Sequence, residues 1–103
     1  MIKGVITGDV VNSSHIATEW RQTVIDALNA CVKDFSSFTP IKMEMYRGDS
    51  LQVVVDNPEL ALSVAIALRA KLKASTPDKS EVWDARLSLG IGDVSFASGN
   101  ILT

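Results

Sequence analysis

Two strand-like runs separated by a short turn constrain the fold of this chain more than any other feature. Residues 41–46 read IKMEMY and alternate apolar with polar side chains, and residues 51–55 read LQVVV, which is rich in β-branched residues. Gly48 and Asp49 stand between the two runs, and glycine and aspartate are common in tight turns. The segment therefore predicts a β-hairpin.

The residues before the hairpin predict a strand followed by a helix. Residues 2–7 form a short apolar run that ends at Gly8 and Asp9, as a buried strand does where it reaches a loop. Apolar side chains then recur every three or four residues, which predicts an amphipathic helix over residues 14–35.

The residues after the hairpin predict a second helix and a fourth strand. Asn57 and Pro58 provide an N-cap and a proline for the first helical position, and the helix ends near residue 75. The segment that follows alternates apolar and polar residues, which predicts a strand with four side chains facing inward. These side chains are Ala85, Leu87, Leu89 and Ile91.

The order of elements, β-α-β-β-α-β, is the split βαβ pattern of the ferredoxin-like α+β fold. We expect a four-stranded antiparallel sheet, in the spatial order 4-1-3-2, with both helices on one face. The first and third strands are then antiparallel neighbours. Asp9 and Asp49 therefore converge at one edge of the sheet, although they are distant in sequence.

Two converging carboxylates predict a divalent-cation site, because like charges held close together need a proton or a cation between them. Mg²⁺ prefers oxygen ligands and commonly takes one or two carboxylates from a protein, while phosphates and water complete its coordination. The alternative is that both Gly-Asp pairs only make turns, for which glycine and aspartate are common choices.

Composition limits the classes of protein to which the chain can belong. With 103 residues, 47% of them hydrophobic, the chain predicts a single domain over residues 1–103. Its net charge of −2 offers no basic surface for nucleic acid, and no apolar run is long enough for a membrane span. Cys31, the single cysteine, excludes an internal disulfide, so we expect a cytoplasmic protein.

Three motifs in order resemble the class III nucleotidyl cyclase homology domain, and most closely its small bacterial SatD-like relatives. They read TGDVVNS, YRGDSLQVVV and ARLSLGIGDV. The resemblance covers nearly the whole chain. It implies a cyclase-like domain that binds Mg²⁺ or Mn²⁺ through Asp9, Asp49 and the backbone carbonyl of Val10. It also implies a nucleoside triphosphate ligand and a homodimer.

The chain departs from that family at two places. Met45 stands where the cyclases place a lysine or glutamate that reads the purine. The chain ends at ASGNILT, before the family's asparagine and arginine that stabilise the transition state, so we expect a domain cut short at its C-terminus. The catalytic residues are therefore unknown.

Four further residues are candidates for binding phosphate. Asn12, Ser13 and Ser14 follow the first aspartate, and the predicted helix N-terminus behind them favours an anion; their alternative role is ordinary N-capping. Arg47 can bind a phosphate through two parallel hydrogen bonds, or it can be a solvated turn residue.

Two classes of function follow from these features. In the first, the chain is a regulatory or ligand-binding domain that catalyses nothing. In the second, it is an enzyme of metal-dependent nucleotidyl or phosphoryl transfer, of the nucleotidyl cyclase type. We favour the first class, because Met45 and the missing C-terminal residues remove purine reading and transition-state stabilisation together.

Overall fold

The computed structural model describes residues 2–47, 49–77, 82–93, 95–97 and 100–102. Short 3₁₀ turns at Ser13–His15 and Pro58–Leu60 precede the two helices. The strands and helices are β1 (Ile2–Val10), α1 (Thr18–Phe35), β2 (Ile41–Tyr46), β3 (Ser50–Val55), α2 (Ala61–Ala74), β4 (Ala85–Asp93), β5 (Ser95–Ala97) and β6 (Asn100–Leu102).

The main sheet has the order β2-β3-β1-β4, with every neighbouring pair antiparallel. This is the predicted order, and it confirms the α+β fold with its four-stranded antiparallel sheet. β5 and β6 form a separate two-stranded ribbon, which the sequence pattern did not predict.

Both helices pack against one face of the sheet. Alternate strand residues, such as Ile6 on β1 and Val53 on β3, are fully buried there and form one cluster with Leu28 of α1 and with Leu68 of α2. The alternation follows from the strand period of two, which sends neighbouring side chains to opposite faces. The predicted placement of both helices on one face is therefore confirmed.

The face of the sheet opposite the helices carries both apolar and polar residues. Val5 and Val54 are partners across β1 and β3, and both are buried, with 8% and 1% of their surface exposed. Thr7 and Gln52, also partners, are polar and half-buried beside them. The predicted homodimer, which would cover this face, stays a prediction.

The helix starts differ from the sequence-based expectation. α1 begins at Thr18 rather than near residue 14, and the capping position, Ala17, offers no side-chain hydrogen bond. Asn57 caps the 3₁₀ turn Pro58–Leu60, since its side-chain oxygen accepts a hydrogen bond from the Glu59 N–H at 3.0 Å. However, α2 itself begins only at Ala61 and has no side-chain cap. Within the described part of the chain, neither helix combines the length and the apolar character needed to cross a membrane.

The expectation for the end of β4 was wrong. Ala85 is buried and Leu87 partly buried, but Leu89 and Ile91 expose 41% and 57% of their surface. Strand alternation directs all four to the face that the helices cover, but the exposure of Leu89 and Ile91 shows that this cover does not extend to the end of β4.

Asp84 ties α2 to the start of β4. The Arg69 side chain donates two hydrogen bonds to its carboxylate, each 2.8 Å long. The Asp84 backbone carbonyl accepts a third from the Val11 N–H at 2.9 Å. The Arg69 hydrogen bonds are the main cause that lowers the pKa of Asp84 to about 2, even though partial burial opposes the shift.

Two further side chains, Cys31 and Trp83, lie in the core. Cys31 is buried, and burial raises the pKa of its thiol, which disfavours the reactive thiolate. Trp83 is also buried and meets the half-exposed Trp20 edge to face, with ring centroids 6.5 Å apart. Neither residue is arranged as a nucleophile or as a stacking platform for a base.

Gly8 provides a first test of the packing between β1 and β4. A β-carbon at Gly8 would overlap the backbone oxygen of Arg86, so we expect Gly8→Ala to destabilise the fold by about 1–3 kcal/mol. A β-carbon at Gly90 would meet no heavy atom within 4 Å, so Gly90→Ala is the matched control. Urea unfolding measures both, and equal stability of the two variants would contradict the close approach.

The Arg69–Asp84 pair provides a test by pH. The pKa of Asp84 is about 2 in the folded protein against a reference value of 3.8, so the pair stabilises the fold above that reference value and loses its effect as the pH falls towards the folded pKa. We expect Asp84→Asn to be less stable than the unmodified protein at neutral pH. The difference should shrink between about pH 4 and about pH 2.

Urea unfolding midpoints across that range measure this difference. Asp34→Asn is the control, because Asp34 is an exposed carboxylate of α1 without a guanidinium partner among the described residues. A stability difference for Asp84→Asn that does not change with pH would contradict the assignment.

Candidate functional site

The ends of β1 and the hairpin meet as the sequence predicts. Asp9 is the register partner of Ser50, and the next N–H along β1, that of Val10, donates a hydrogen bond to the Asp49 carbonyl at 2.8 Å. The two carboxylate-bearing residues therefore lie at one edge of the sheet, held there by backbone bonds. This confirms the predicted convergence of the two loops.

Asp49 is the last residue of the hairpin turn, directly before β3. Its N–H donates to the Tyr46 carbonyl at 3.3 Å, which closes a turn with two residues between them. The first of these, Arg47, has φ 55°, in the left-handed region. That conformation costs a residue other than glycine roughly 1–2 kcal/mol. The turn therefore holds an arginine in a conformation that costs some stability.

The Asp49 carboxylate faces the segment that follows β1. Its Oδ2 accepts a hydrogen bond from the Ser13 hydroxyl at 3.3 Å. Ser13 belongs to the 3₁₀ turn before α1, so this bond joins the hairpin to the connection between β1 and α1. Asp49 is thus held in place while it remains partly exposed.

The Asp9 carboxylate has a different partner. Arg86, opposite Asp9 on β4, donates from Nε to Oδ1 at 3.2 Å and from a terminal nitrogen to Oδ2 at 2.9 Å. Hydrogen bonding to Asp9 and the charge of that carboxylate raise the pKa of Arg86. Each carboxylate therefore has its own donor, and repulsion between the two is smaller than the sequence alone suggests. The side chains of Asp9 and Arg86 are 38% and 75% exposed, so this ion pair lies at the surface and contributes little to stability.

A cavity of about 350 Å³ opens beside Asp49. Apolar residues from β1, from the connection to α1 and from α1 itself form part of its lining, and charged and hydroxyl side chains form the rest. The lining residues are Val10, Ser13, Ser14, Ile16, Arg21, Val24, Arg47 and Asp49. The structure thus brings together Val10, Ser13, Ser14, Arg47 and Asp49 from the predicted site residues.

Two predicted site residues lie elsewhere. Asp9 does not line this cavity, because its carboxylate is turned towards Arg86. Asn12 is exposed, has φ 52° and makes no capping hydrogen bond with its side chain. The predicted helix N-terminus behind Ser13 and Ser14 was misplaced, because α1 starts only at Thr18 and its dipole acts within the first turn.

The capping alternative also finds no support in the hydrogen bonds. No side chain caps the 3₁₀ turn at Ser13–His15 or the N-terminus of α1, and the Ser13 hydroxyl bonds to Asp49 instead. Met45, at the position the resemblance assigns to purine reading, is partly buried and packs against the core cluster.

Sequence reasoning missed two arginines of this region. Arg86 could have been found from the predicted strand order, since an antiparallel fourth strand beside the first brings its start next to Asp9. Arg21 could have been found from helix periodicity, because it shares a face with the buried Val24 and Leu28. Neither had a recognisable motif of its own.

The two carboxylates at this edge could hold a divalent cation only if phosphate and water supply most of its ligands. Among the described residues, no cluster of three or more acidic, histidine or cysteine side chains could hold a metal. Two carboxylates suit Mg²⁺ or Mn²⁺ when phosphate and water supply the remaining ligands. Asp9 can take part only by exchanging Arg86 for the cation, and the exposure of that pair makes the exchange inexpensive.

Comparison with known proteins supports the fold. By sequence, no protein-family model and no curated protein matches the chain. Among solved structures, the guanylyl cyclase Cya2 resembles it with a TM-score of 0.58 at 12% sequence identity. The match covers 98% of this chain and 61% of the cyclase chain. At this identity the likeness shows a cyclase-like fold, and the chain spans less than two thirds of the cyclase.

The Arg86–Asp9 pair gives a prediction for metal binding. Arg86→Gln removes the cation that competes for Asp9, so we expect the melting temperature to begin rising at a lower Mn²⁺ concentration than in the unmodified protein. Lys33→Gln, which removes a positive charge at the far end of α1, is the control for net charge. A Mn²⁺ response that is identical in all three proteins would contradict competition at Asp9.

Proposed function

We propose that this chain is a cyclase-like ligand-binding domain of regulatory function that binds a nucleoside triphosphate through Mg²⁺ or Mn²⁺ without turning it over. The cation would be held by Asp9 and Asp49, with the backbone carbonyl of Val10 as a further ligand by resemblance. The finer resemblance, to the small bacterial SatD-like proteins, is part of the same proposal and rests on the three motifs.

One observation carries the proposal. The Val10 N–H bonds to the Asp49 carbonyl at 2.8 Å, so two carboxylate-bearing loops are fixed at one sheet edge by the backbone itself. Neither aspartate is needed for that backbone bond, since any residue supplies a carbonyl. A side-chain role for both is therefore the simplest reason for placing acidic residues there.

A bound cation would supply positive charge against the phosphate groups. The residues of the chain then have separate tasks. Asp9 and Asp49 fix the position of the positive charge, and Arg86, released from Asp9, remains beside the ligand as a second cation. Ser13 keeps the Asp49 carboxylate oriented through its hydroxyl.

Met45 is the reason for proposing binding rather than turnover. Its thioether side chain packs against the core and offers no hydrogen-bond donor, and only a weak acceptor, for reading a purine. The alternative, cyclisation of a nucleoside triphosphate, takes its support from the fold likeness to a guanylyl cyclase. Formation of a cyclic nucleotide from ATP or GTP in the presence of Mn²⁺ would favour that alternative.

The metal site is tested by melting temperature against Mn²⁺ concentration for the unmodified protein, Asp9→Asn and Asp49→Asn. A cation at about ten times its dissociation constant stabilises the native state by roughly 1.4 kcal/mol, or about 6–11 °C for a domain of this size. We expect that response in the unmodified protein and its loss in both variants. Without metal, Asp49→Asn should melt close to the unmodified protein, because asparagine still accepts from Ser13.

Asp34→Asn is the matched control, since it removes one negative charge from an exposed position of α1, away from the proposed site. It should keep the full Mn²⁺ response. If Mn²⁺ raised the melting temperature equally in Asp9→Asn, Asp49→Asn and the unmodified protein, the metal site would be contradicted. Asp49 would then only form part of the turn.

A further inference from the structure

Two of the arginines of this chain, Arg21 and Arg47, line the cavity beside Asp49. The chain has four arginines, at positions 21, 47, 69 and 86. Arg69 and Arg86 each donate two hydrogen bonds to the carboxylate of an aspartate. Among the residues that the structure describes, Arg21 and Arg47 have no hydrogen-bond or ion-pair partner, and both line this one cavity.

Neither arginine is placed where it benefits the local structure. Arg21 is the fourth residue of α1, near the helix end at which the dipole favours negative rather than positive charge. Arg47 holds a left-handed backbone conformation that glycine adopts without penalty. Local structure therefore gives no reason for an arginine at either position, although both arginines line the same cavity.

The charges and size of the cavity indicate its ligand. Two guanidinium groups against the single carboxylate of Asp49 leave an excess positive charge, which a bound dication would increase. A guanidinium group matches the geometry of phosphate oxygens through two parallel hydrogen bonds. The hydroxyls of Ser13 and Ser14 add neutral donors. Its volume of about 350 Å³ lies at the small end of the range for ligand pockets.

The described residues of the same lining are poorly suited to stacking a base. Its apolar part is aliphatic, from Val10, Ile16 and Val24, so it offers no aromatic ring on which a base can stack. Its polar groups are hydroxyl, guanidinium and carboxylate groups, which a metal-bound polyphosphate would occupy.

We propose that this cavity binds a polyphosphate chain between Arg21 and Arg47 and does not discriminate between bases. Arg21 is then a phosphate-binding residue, and inorganic tripolyphosphate is a sufficient ligand. The inference rests on the proposed function, since it takes the cation at Asp49 as part of the counter-charge, and it deepens that function by naming which part of the nucleotide is recognised.

Calorimetric titration in the presence of Mg²⁺ tests the proposal with inorganic tripolyphosphate, ATP, GTP, CTP, UTP and AMP as probes. We expect the tripolyphosphate and the four triphosphates to bind with affinities within about threefold of each other, and AMP at least about tenfold more weakly. Arg21→Gln and Arg47→Gln should each weaken tripolyphosphate binding by about 10- to 100-fold, the usual effect of losing a charge-assisted hydrogen bond.

Lys33→Gln is the matched control, because Lys33 lies on the same helix as Arg21 but at its opposite end. It should bind tripolyphosphate almost as the unmodified protein does. Melting temperatures without ligand verify that every variant is folded.

The outcomes separate this inference from the proposed function. A Mn²⁺ response that depends on Asp9 and Asp49, combined with tripolyphosphate binding that ignores Arg21, overturns the inference and leaves the metal site standing. Arginine-dependent tripolyphosphate binding without any Mn²⁺ response supports the phosphate cavity and removes the metal site. No binding of tripolyphosphate, or one nucleotide bound much more tightly than it, overturns the inference.

Discussion

The antiparallel pairing of β1 with β3 is the constraint on which the rest of the structure depends. The ladder runs from Gly4 opposite Val55 to Asp9 opposite Ser50 and extends through the Val10 N–H to the Asp49 carbonyl. A slip of one residue would turn the buried side chains of β3 to the opposite face of the sheet. The apolar core therefore fixes the register, and the register in turn fixes which loops share an edge.

The charged residues at that edge form two groups. On the side of β4, Asp9 is neutralised by Arg86 across neighbouring strands. On the side of α1, Asp49 is held by a neutral hydroxyl, and two arginines line the cavity without neutralising partners among the described residues. A ligand with both positive and negative groups, such as a metal-bound polyphosphate, is complementary to both groups of residues, and the ion pair that it would replace, Arg86–Asp9, is exposed.

Much of the fold was predictable, because local signals and topology agreed. The hairpin, the Asn57 cap and the strand order followed from turn chemistry and hydrophobic period, and the convergence of Asp9 with Asp49 followed from the order. The start of α1 did not follow, because Ser13–His15 forms a 3₁₀ turn whose residues resemble a helix cap. The exposure of Ile91 depends on where the covering helices lie, which a strand's own alternation does not encode.

The candidate site was only partly predictable, for a related reason. Residues next to glycine turns carry a local signal, and Asp9, Asp49 and Arg47 were found by it. Arg21 lies in the first turn of a helix and Arg86 at the start of a strand, and neither has a turn motif beside it, so their roles depend on tertiary packing. An arginine on an amphipathic element looks the same in sequence whether it faces water, an aspartate or a cavity.

The left-handed backbone of Arg47 sets two selective pressures against each other at one position. Glycine there would relieve a strain of roughly 1–2 kcal/mol, a sizeable fraction of the stability of a small domain. It would also remove one of the two guanidinium groups that line the cavity. Sequences drifting under selection for stability alone would replace this arginine, so its retention or loss among relatives reports whether the cavity is in use.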